Sequence, residues 1–311
     1  MLFCIHKNAI AVIFCKKRSE RIDCMKKIIF IGGDRRMVYA AEALGKKYAC
    51  RLCGLGSDGY DIKNGGELFD YAVLPLQKSA DGVTIPCPLS DGNSSVEYSD
   101  LGTALKEGGI VFTGSVFPLS ESICRSRGLT LINYAEREEL AVANAVPTAE
   151  GALEIAISRL PITIFGSAVL ITGYGRIAKI LAKYLHAMGA RVSVACRKRG
   201  DLKWAEICGF TAVDITDKGA FGNAASRADV IFNTVPSELF GGEEISVIKQ
   251  GAIYIELASA DGIDVKEAEK HRIEIITARG LPGKTAPVTA GQIIAEAIEN
   301  ILAERGDEVE A

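Results

Sequence analysis

Short, almost wholly apolar runs alternate with amphipathic stretches along this chain, and the alternation occurs as two series. The first series has apolar runs at 28–31, 49–53, 71–74, 110–113 and 129–132, with a helical pattern over 35–45 after the first run. The second has runs at 168–172, 192–195, 230–233, 253–257 and 273–277. Its first run leads into Ile177, Ile180, Leu181, Tyr184, Leu185 and Met188, which repeat at helical spacing until Gly189, and a further helix is expected near 202–207. Strands that are apolar on both faces need helices on both sides, which is the condition of a parallel sheet. The pattern therefore predicts an α/β chain of two Rossmann-like, doubly wound parallel-sheet domains. Two more helical stretches, 137–160 with a break expected at Pro147 and 290–305, are predicted to cross between the domains. The domains are expected at 25–145, with 288–311 packing back on it, and at 146–287. The active site is expected in the cleft facing the carboxyl ends of the two sheets.

Composition narrows the function classes. Of 311 residues, 48% are hydrophobic and 24% charged, with a net charge of −3. Nothing in that balance points to nucleic acid or to a membrane surface. Nine cysteines, an odd number, are scattered mostly through apolar runs, which predicts a reducing, cytoplasmic setting. Cys50 and Cys53 form one C-x-x-C, but on a strand the two thiols diverge and no second pair completes a zinc site, so no metal is expected. The apolar run 9–14 is too short to span a bilayer and lacks a cleavage signal. Met25-Lys26-Lys27 leads directly into the first strand and reads as a natural start. Residues 1–24 are expected to be a non-native or disordered extension.

The most informative motif is Gly173-Tyr174-Gly175-Arg176-Ile177-Ala178, between an apolar run and an amphipathic helix. In that context Gly173 permits a tight turn, Gly175 lets the backbone approach a pyrophosphate, and Ala178 allows close helix–strand packing. NAD enzymes carry an acid at the end of the next strand; here that strand runs into Cys196-Arg197-Lys198-Arg199. A guanidinium holds a 2′-phosphate where a carboxylate would repel it. The expected cofactor is NADP(H), with NAD as the alternative, held by Gly173, Tyr174, Gly175, Arg176, Ile177, Cys196, Arg197 and Lys198. Thr234, Val235 and Pro236 after one strand, and Leu257 and Ala258 after the next, are expected at the nicotinamide half.

Ile31-Gly32-Gly33-Asp34-Arg35-Arg36, Val146-Pro147-Thr148-Ala149-Glu150-Gly151, Gly173-Tyr174-Gly175-Arg176, Asn233-Thr234-Val235-Pro236-Ser237 and the stretch from Gly280-Leu281-Pro282-Gly283-Lys284-Thr285 to Gly291 together resemble the dipicolinate synthase A-subunit family. The likeness runs from Met25 to the C-terminus. It implies a sporulation enzyme of the mother-cell cytoplasm. With a flavoprotein B subunit, such an enzyme converts hydroxy-tetrahydrodipicolinate or its dihydro form to dipicolinate. It also implies paired α/β domains like those of hydroxy-acid and alanine dehydrogenases. A homo-oligomer is expected.

A small dicarboxylate substrate calls for cations and helix N-termini. Arg35 and Arg36, after the first glycine turn, form a candidate carboxylate clamp. Lys284 and Thr285, in a loop bounded by glycine and proline, are the next candidates. Thr148 is expected to cap a helix beginning beyond Pro147, with Glu150 in its first turn. Glu150, Lys284 and Arg36 are the candidate catalytic groups. The three histidines, His6, His186 and His271, all lie away from strand-end loops. That placement argues against a hydroxy-acid dehydrogenase with a histidine–acid base. Two other readings fit the same residues: an amino- or imino-acid dehydrogenase of the alanine dehydrogenase type, and a non-catalytic NADP-sensing subunit of a flavoprotein complex.

Overall fold

The structure is a computed structural model that describes residues 25–56, 60–90 and 95–306. The expectation for residues 1–24 lies outside the described residues. The chain forms two compact units, one running to Leu140 and resuming at Pro287, the other Ala141–Ala286. Both junctions fall in helices: α4 (Glu138–Arg159), whose first residues belong to the first unit, and α11 (Pro287–Glu304), which returns the chain to it.

The first unit contains β1 (Lys27–Ile31), α1 (Arg35–Leu44), β2 (Ala49–Cys53), β3 (Phe69–Val73), β4 (Thr84–Ile85), β5 (Val96–Glu97), α2 (Leu101–Ala104), β6 (Leu105–Thr113), α3 (Pro118–Ser126) and β7 (Thr130–Asn133). Its main sheet is parallel with order β2-β1-β3-β6-β7, and β4 and β5 form a small antiparallel pair. Numbered within the unit this is 2-1-3-4-5, a doubly wound order whose switch point lies between β1 and β3. Helix α11 packs on α1 so closely that a Cβ on Gly291 would stand 2.6 Å from the Arg36 carbonyl oxygen.

The second unit contains β8 (Ala168–Thr172), α5 (Arg176–Ala187), β9 (Arg191–Cys196), α6 (Arg199–Ile207), β10 (Thr211–Asp214), α7 (Lys218–Arg227), β11 (Val230–Asn233), α8 (Gly242–Ser246), β12 (Ile253–Glu256), α9 (Val265–Lys270), β13 (Glu274–Thr277) and α10 (Leu281–Thr285). All six strands are parallel in the order β10-β9-β8-β11-β12-β13, or 3-2-1-4-5-6 within the unit. This is the dinucleotide-binding order, with its switch point between β8 and β11. Both faces of the sheet are buried. Val169, Ile171, Val194 and Phe232 pack with Ala178, Leu181 and Leu185 on one side, and Leu170, Ile231 and Tyr254 with Phe221 and Phe240 on the other.

Helix α4 does not break at Pro147. Proline removes a single N–H from the ladder, and Pro147 is itself buried, so packing holds the helix together across it. Thr148 consequently caps nothing: its hydroxyl donates back to the Asn144 carbonyl at 2.7 Å, as a mid-helix threonine does. Helix α4 is also long and apolar enough to cross a membrane, with mean hydropathy 1.3 over its best window. Its alanines Ala149, Ala152 and Ala156 are fully buried in the core of the second unit.

Candidate functional site

The turn after β8 is shaped by its glycines. Gly173 has φ +86°, which only glycine adopts without strain, and its N–H donates to the Ala195 carbonyl at 2.8 Å. A Cβ there would stand 2.5 Å from the Thr234 hydroxyl, so the turn lies tightly against the loop after β11. Gly175 is the opposite case: a Cβ there would meet nothing within 4 Å. Gly175 is also the N-cap of α5, and no side chain caps that helix. The first N–H groups of a twelve-residue helix thus face an open cradle, the arrangement that binds a phosphate. Ala178 is fully buried and lets α5 lie close to the sheet. Tyr174 packs edge-on against Phe210, with the Lys179 ammonium 5.5 Å from its ring centre. Burial pushes its phenol well above the ordinary range. These features fit a dinucleotide pyrophosphate.

Strand β9 ends at the buried Cys196, and Arg197, Lys198 and Arg199 follow, all exposed. None of the ion pairs among the described residues involves these three cations. Burial holds the Cys196 thiol up at about 11, so it stays neutral.

At the carboxyl edge beyond β8, three polar side chains occupy adjacent register positions: Thr172 on β8, Asn233 on β11 and Glu256 on β12. All three are essentially solvent-free. Thr172 donates to Asn233 Oδ1 at 2.5 Å, and Asn233 Nδ2 donates to Glu256 Oε1 at 2.8 Å and Oε2 at 3.0 Å. The ladder also braces the loops above it. The Val235 N–H donates to Asn233 Oδ1 at 3.1 Å, Asn233 Nδ2 reaches the Val235 carbonyl at 2.9 Å, and Thr234 donates to the Thr172 carbonyl at 2.7 Å. Leu257 and Ala258 follow Glu256, both buried, and the Ala258 N–H donates to Glu256 Oε1 at 2.9 Å. The sequence motif pointed to Asn233, but Glu256 was missed. Its signal is legible afterwards: a lone carboxylate ending the apolar run Ile253–Ile255.

Other predicted residues fall elsewhere. In the first unit Arg35 is exposed, whereas Arg36 is buried against its own helix cap. Asp34 caps α1 and grips the Arg36 guanidinium through Nε at 2.9 Å and Nη2 at 2.9 Å, while the Gln77 amide donates to Asp34 at 3.0 Å. Glu150 is exposed in the middle of α4 rather than in a first turn. Lys284 and Thr285 lie not in an open loop but in the short helix α10, entered through Gly280 at φ +70°. The Thr285 hydroxyl donates to the Leu281 carbonyl at 3.0 Å. A Cβ on Gly151 would stand 3.0 Å from Thr285, which ties α10 to α4. His186 stacks edge-on against Phe210, and His271 faces Glu267 at 3.4 Å. Burial lifts the Cys50 thiol to about 12 and the Cys53 thiol to about 11, so both are packing groups.

A six-stranded sheet in this order, with an open glycine turn at its switch point, defines a dehydrogenase-type dinucleotide-binding unit. Comparison with known proteins agrees. Residues 148–270 match the family model of the D-isomer specific 2-hydroxyacid dehydrogenase NAD binding domain. The protein is an NAD(P)-dependent oxidoreductase with a nicotinamide cofactor. The dipicolinate synthase A-subunit of Bacillus subtilis (strain 168) is 30% identical over 290 residues, covering 89% of this chain and 96% of the relative. The crystal structure of the Bacillus subtilis A-subunit is similar with a TM-score of 0.79 at 28% identity, covering 91% of this chain and 98% of that one. The A-subunit from Bacillus halodurans gives 0.78 at 27%, covering 89% and 98%. This chain belongs to the dipicolinate synthase A-subunit family.

Proposed function

We propose that this chain is the NADP-dependent subunit that forms dipicolinate. The substrate is dihydrodipicolinate, or the hydroxy-tetrahydro form that yields it by losing water. Oxidation removes one hydride and one proton and leaves an aromatic pyridine ring, with NADP+ as hydride acceptor. Aromatisation makes the step downhill and lightens the demand on a general base, which accords with His186 lying in the last turn of α5 and His271 at the end of α9. The observation that carries the cofactor choice is the exposed Arg197-Lys198-Arg199 run where NAD enzymes place an acid. The phosphate tail lies on Gly173, Tyr174, Gly175, Arg176 and Ile177, the adenosine end against Cys196, Arg197 and Lys198. The nicotinamide half lies toward Thr234, Val235, Pro236, Leu257 and Ala258.

On the substrate side, Arg35, Lys284 and Thr285 are the exposed candidates for the carboxylates, and Glu150 for the proton. Arg36 and Thr148 enter second, because Asp34 and the Asn144 carbonyl already engage them. The chain works with a flavoprotein B subunit, as a homo-oligomer, in the cytoplasm of a sporulating mother cell. Purified chain mixed with NADP+ and freshly formed dihydrodipicolinate is expected to release dipicolinate and reduced cofactor without a partner. Oxidation of alanine instead would contradict this reading, and turnover only when the flavoprotein is added would move the hydride transfer off this chain while leaving the partnership intact.

A further inference from the structure

Glu256 is a buried carboxylate that pairs with no cation among the described residues, in a position that the cofactor reading leaves unexplained. It is 1% exposed and ends β12. Four donor groups converge on it. Oε1 accepts from Asn233 Nδ2 at 2.8 Å and the Ala258 N–H at 2.9 Å; Oε2 accepts from Asn233 Nδ2 at 3.0 Å, the Gly262 N–H at 2.8 Å and the Tyr254 hydroxyl at 3.2 Å. Every partner is a donor, and a carboxylate is acceptor-only when ionised. Burial and the adjacent carboxylate push the Tyr254 phenol far above its ordinary value, so its hydroxyl keeps its proton. The arrangement is crowded: a Cβ on Gly262 would stand 2.2 Å from Asn233 Nδ2. Arg279, the cation that reaches this loop, donates to the Ala258 carbonyl at 3.0 Å and pairs with Asp261 at 2.7 Å, so its charge is already matched.

A dinucleotide across this sheet puts its pyrophosphate at the turn after β8, its adenosine toward β9 and its nicotinamide toward β11 and β12. Glu256 therefore lies in the nicotinamide half. The oxidised ring carries a positive charge and the reduced ring does not, so a fixed negative charge in a low-dielectric region distinguishes them. We propose that Glu256 sets the redox preference of the bound cofactor, its buried charge favouring the oxidised nicotinamide over the reduced one. The inference rests on the dinucleotide reading above and suits an enzyme that removes hydride from its substrate. Glu256 acts at a distance from the ring and braces Ala258, so it is a positioning residue as well.

The test is a titration of wild type, Glu256→Gln and Asn233→Ala with the oxidised and reduced forms of NADP. Wild type is expected to bind the oxidised form at least as tightly as the reduced. Glu256→Gln keeps the shape but removes the charge, and is expected to move the ratio of the two dissociation constants toward the reduced form by roughly tenfold, the worth of a unit charge acting across ~10 Å of protein. Asn233→Ala loosens the same loops but leaves the carboxylate and its Ala258, Gly262 and Tyr254 donors in place, so both forms are expected to weaken together, their ratio within about twofold of wild type. An unchanged ratio in Glu256→Gln overturns the inference. So does wild type that binds the reduced form about tenfold or more tightly than the oxidised, a result that needs no variant to fold. Failure of wild type to bind either form overturns the dinucleotide reading with it.

Discussion

The two units each begin with a strand, a glycine turn and a helix, yet the helix N-terminus is closed by side chains in one and left open in the other. In the first unit the turn is filled. A Cβ on Gly32 would stand 2.5 Å from the Pro86 carbonyl oxygen, Asp34 caps α1, and the Arg36 guanidinium closes on Asp34. In the second, the space around Gly175 is open and α5 takes no side-chain cap. The same local fold thus spends its helix N-terminus on itself in one case and leaves it available in the other. Whether a βα turn binds phosphate depends on what competes for the first N–H groups, and not on its glycines alone.

The strongest way to break this contrast is to close the open turn. Gly175→Asp is expected to weaken dinucleotide binding by about a hundredfold or more, because a carboxylate would occupy the phosphate position. Its thermal midpoint should hold, since φ −82° is ordinary and the space is free. Isothermal titration and a melting curve on one preparation check both halves. Gly173→Ala sharpens the point: with φ +86° and Thr234 at 2.5 Å, it should lose stability by about 1–3 kcal/mol as well as affinity.

A smaller effect is expected at the adenosine end. Arg197→Ala with Lys198→Ala should cost roughly tenfold to thirtyfold in NADPH affinity, the scale of one charge-assisted hydrogen bond, and leave NADH binding unchanged. Competitive fluorescence titration reads this; equal losses for both nucleotides would place the cations away from the 2′-phosphate.

Asp34→Ala, on the filled side, should lower stability by about 1–2 kcal/mol through loss of a cap. It is expected to leave dinucleotide affinity untouched. Chemical denaturation and titration together check it, and a large loss of affinity would erase the distinction between the two turns.

The smallest effect concerns a device that the units share. Asp70 accepts the Lys27 N–H and pairs with Lys106; Asp229 accepts the Ala168 N–H and pairs with Lys249. Burial would raise both carboxyls, but the backbone N–H and the lysine outweigh it and hold them below the usual range. A depressed folded pKa means that the unfolded chain binds more protons, so the stability is present above the unfolded pKa near 4 and is lost as pH falls through the folded value. Asp229→Asn should therefore cost about 1 kcal/mol at neutral pH and progressively less below pH ~4, as urea midpoints across that range would show.

Much of the fold was legible in the sequence, because strands buried on both faces write themselves as apolar runs. The strands at 49–53, 168–172 and 230–233 lie where the pattern predicts them. What escaped was decided by tertiary contacts. Strand β10 is short and mixed in character, and α4 runs through Pro147 because its neighbours hold it there. The glycine turn was legible in full, since strand, turn and helix are local. The Arg36–Asp34 closure was not: Arg35 and Arg36 read as a carboxylate clamp until the side-chain direction turns the Arg36 guanidinium onto the Asp34 carboxylate. Glu256 was hidden for a related reason: its donors come from three separate segments.

On the proposed reading, the second unit holds a phosphorylated nicotinamide dinucleotide on the turn at Gly173–Gly175 beside Arg197 and Lys198. Calorimetric titration of the wild-type chain with NADPH and with NADH tests it most directly. The account predicts NADPH binding tighter by about tenfold or more, as expected for a charge-assisted bidentate contact; equal or tighter binding of NADH would contradict it.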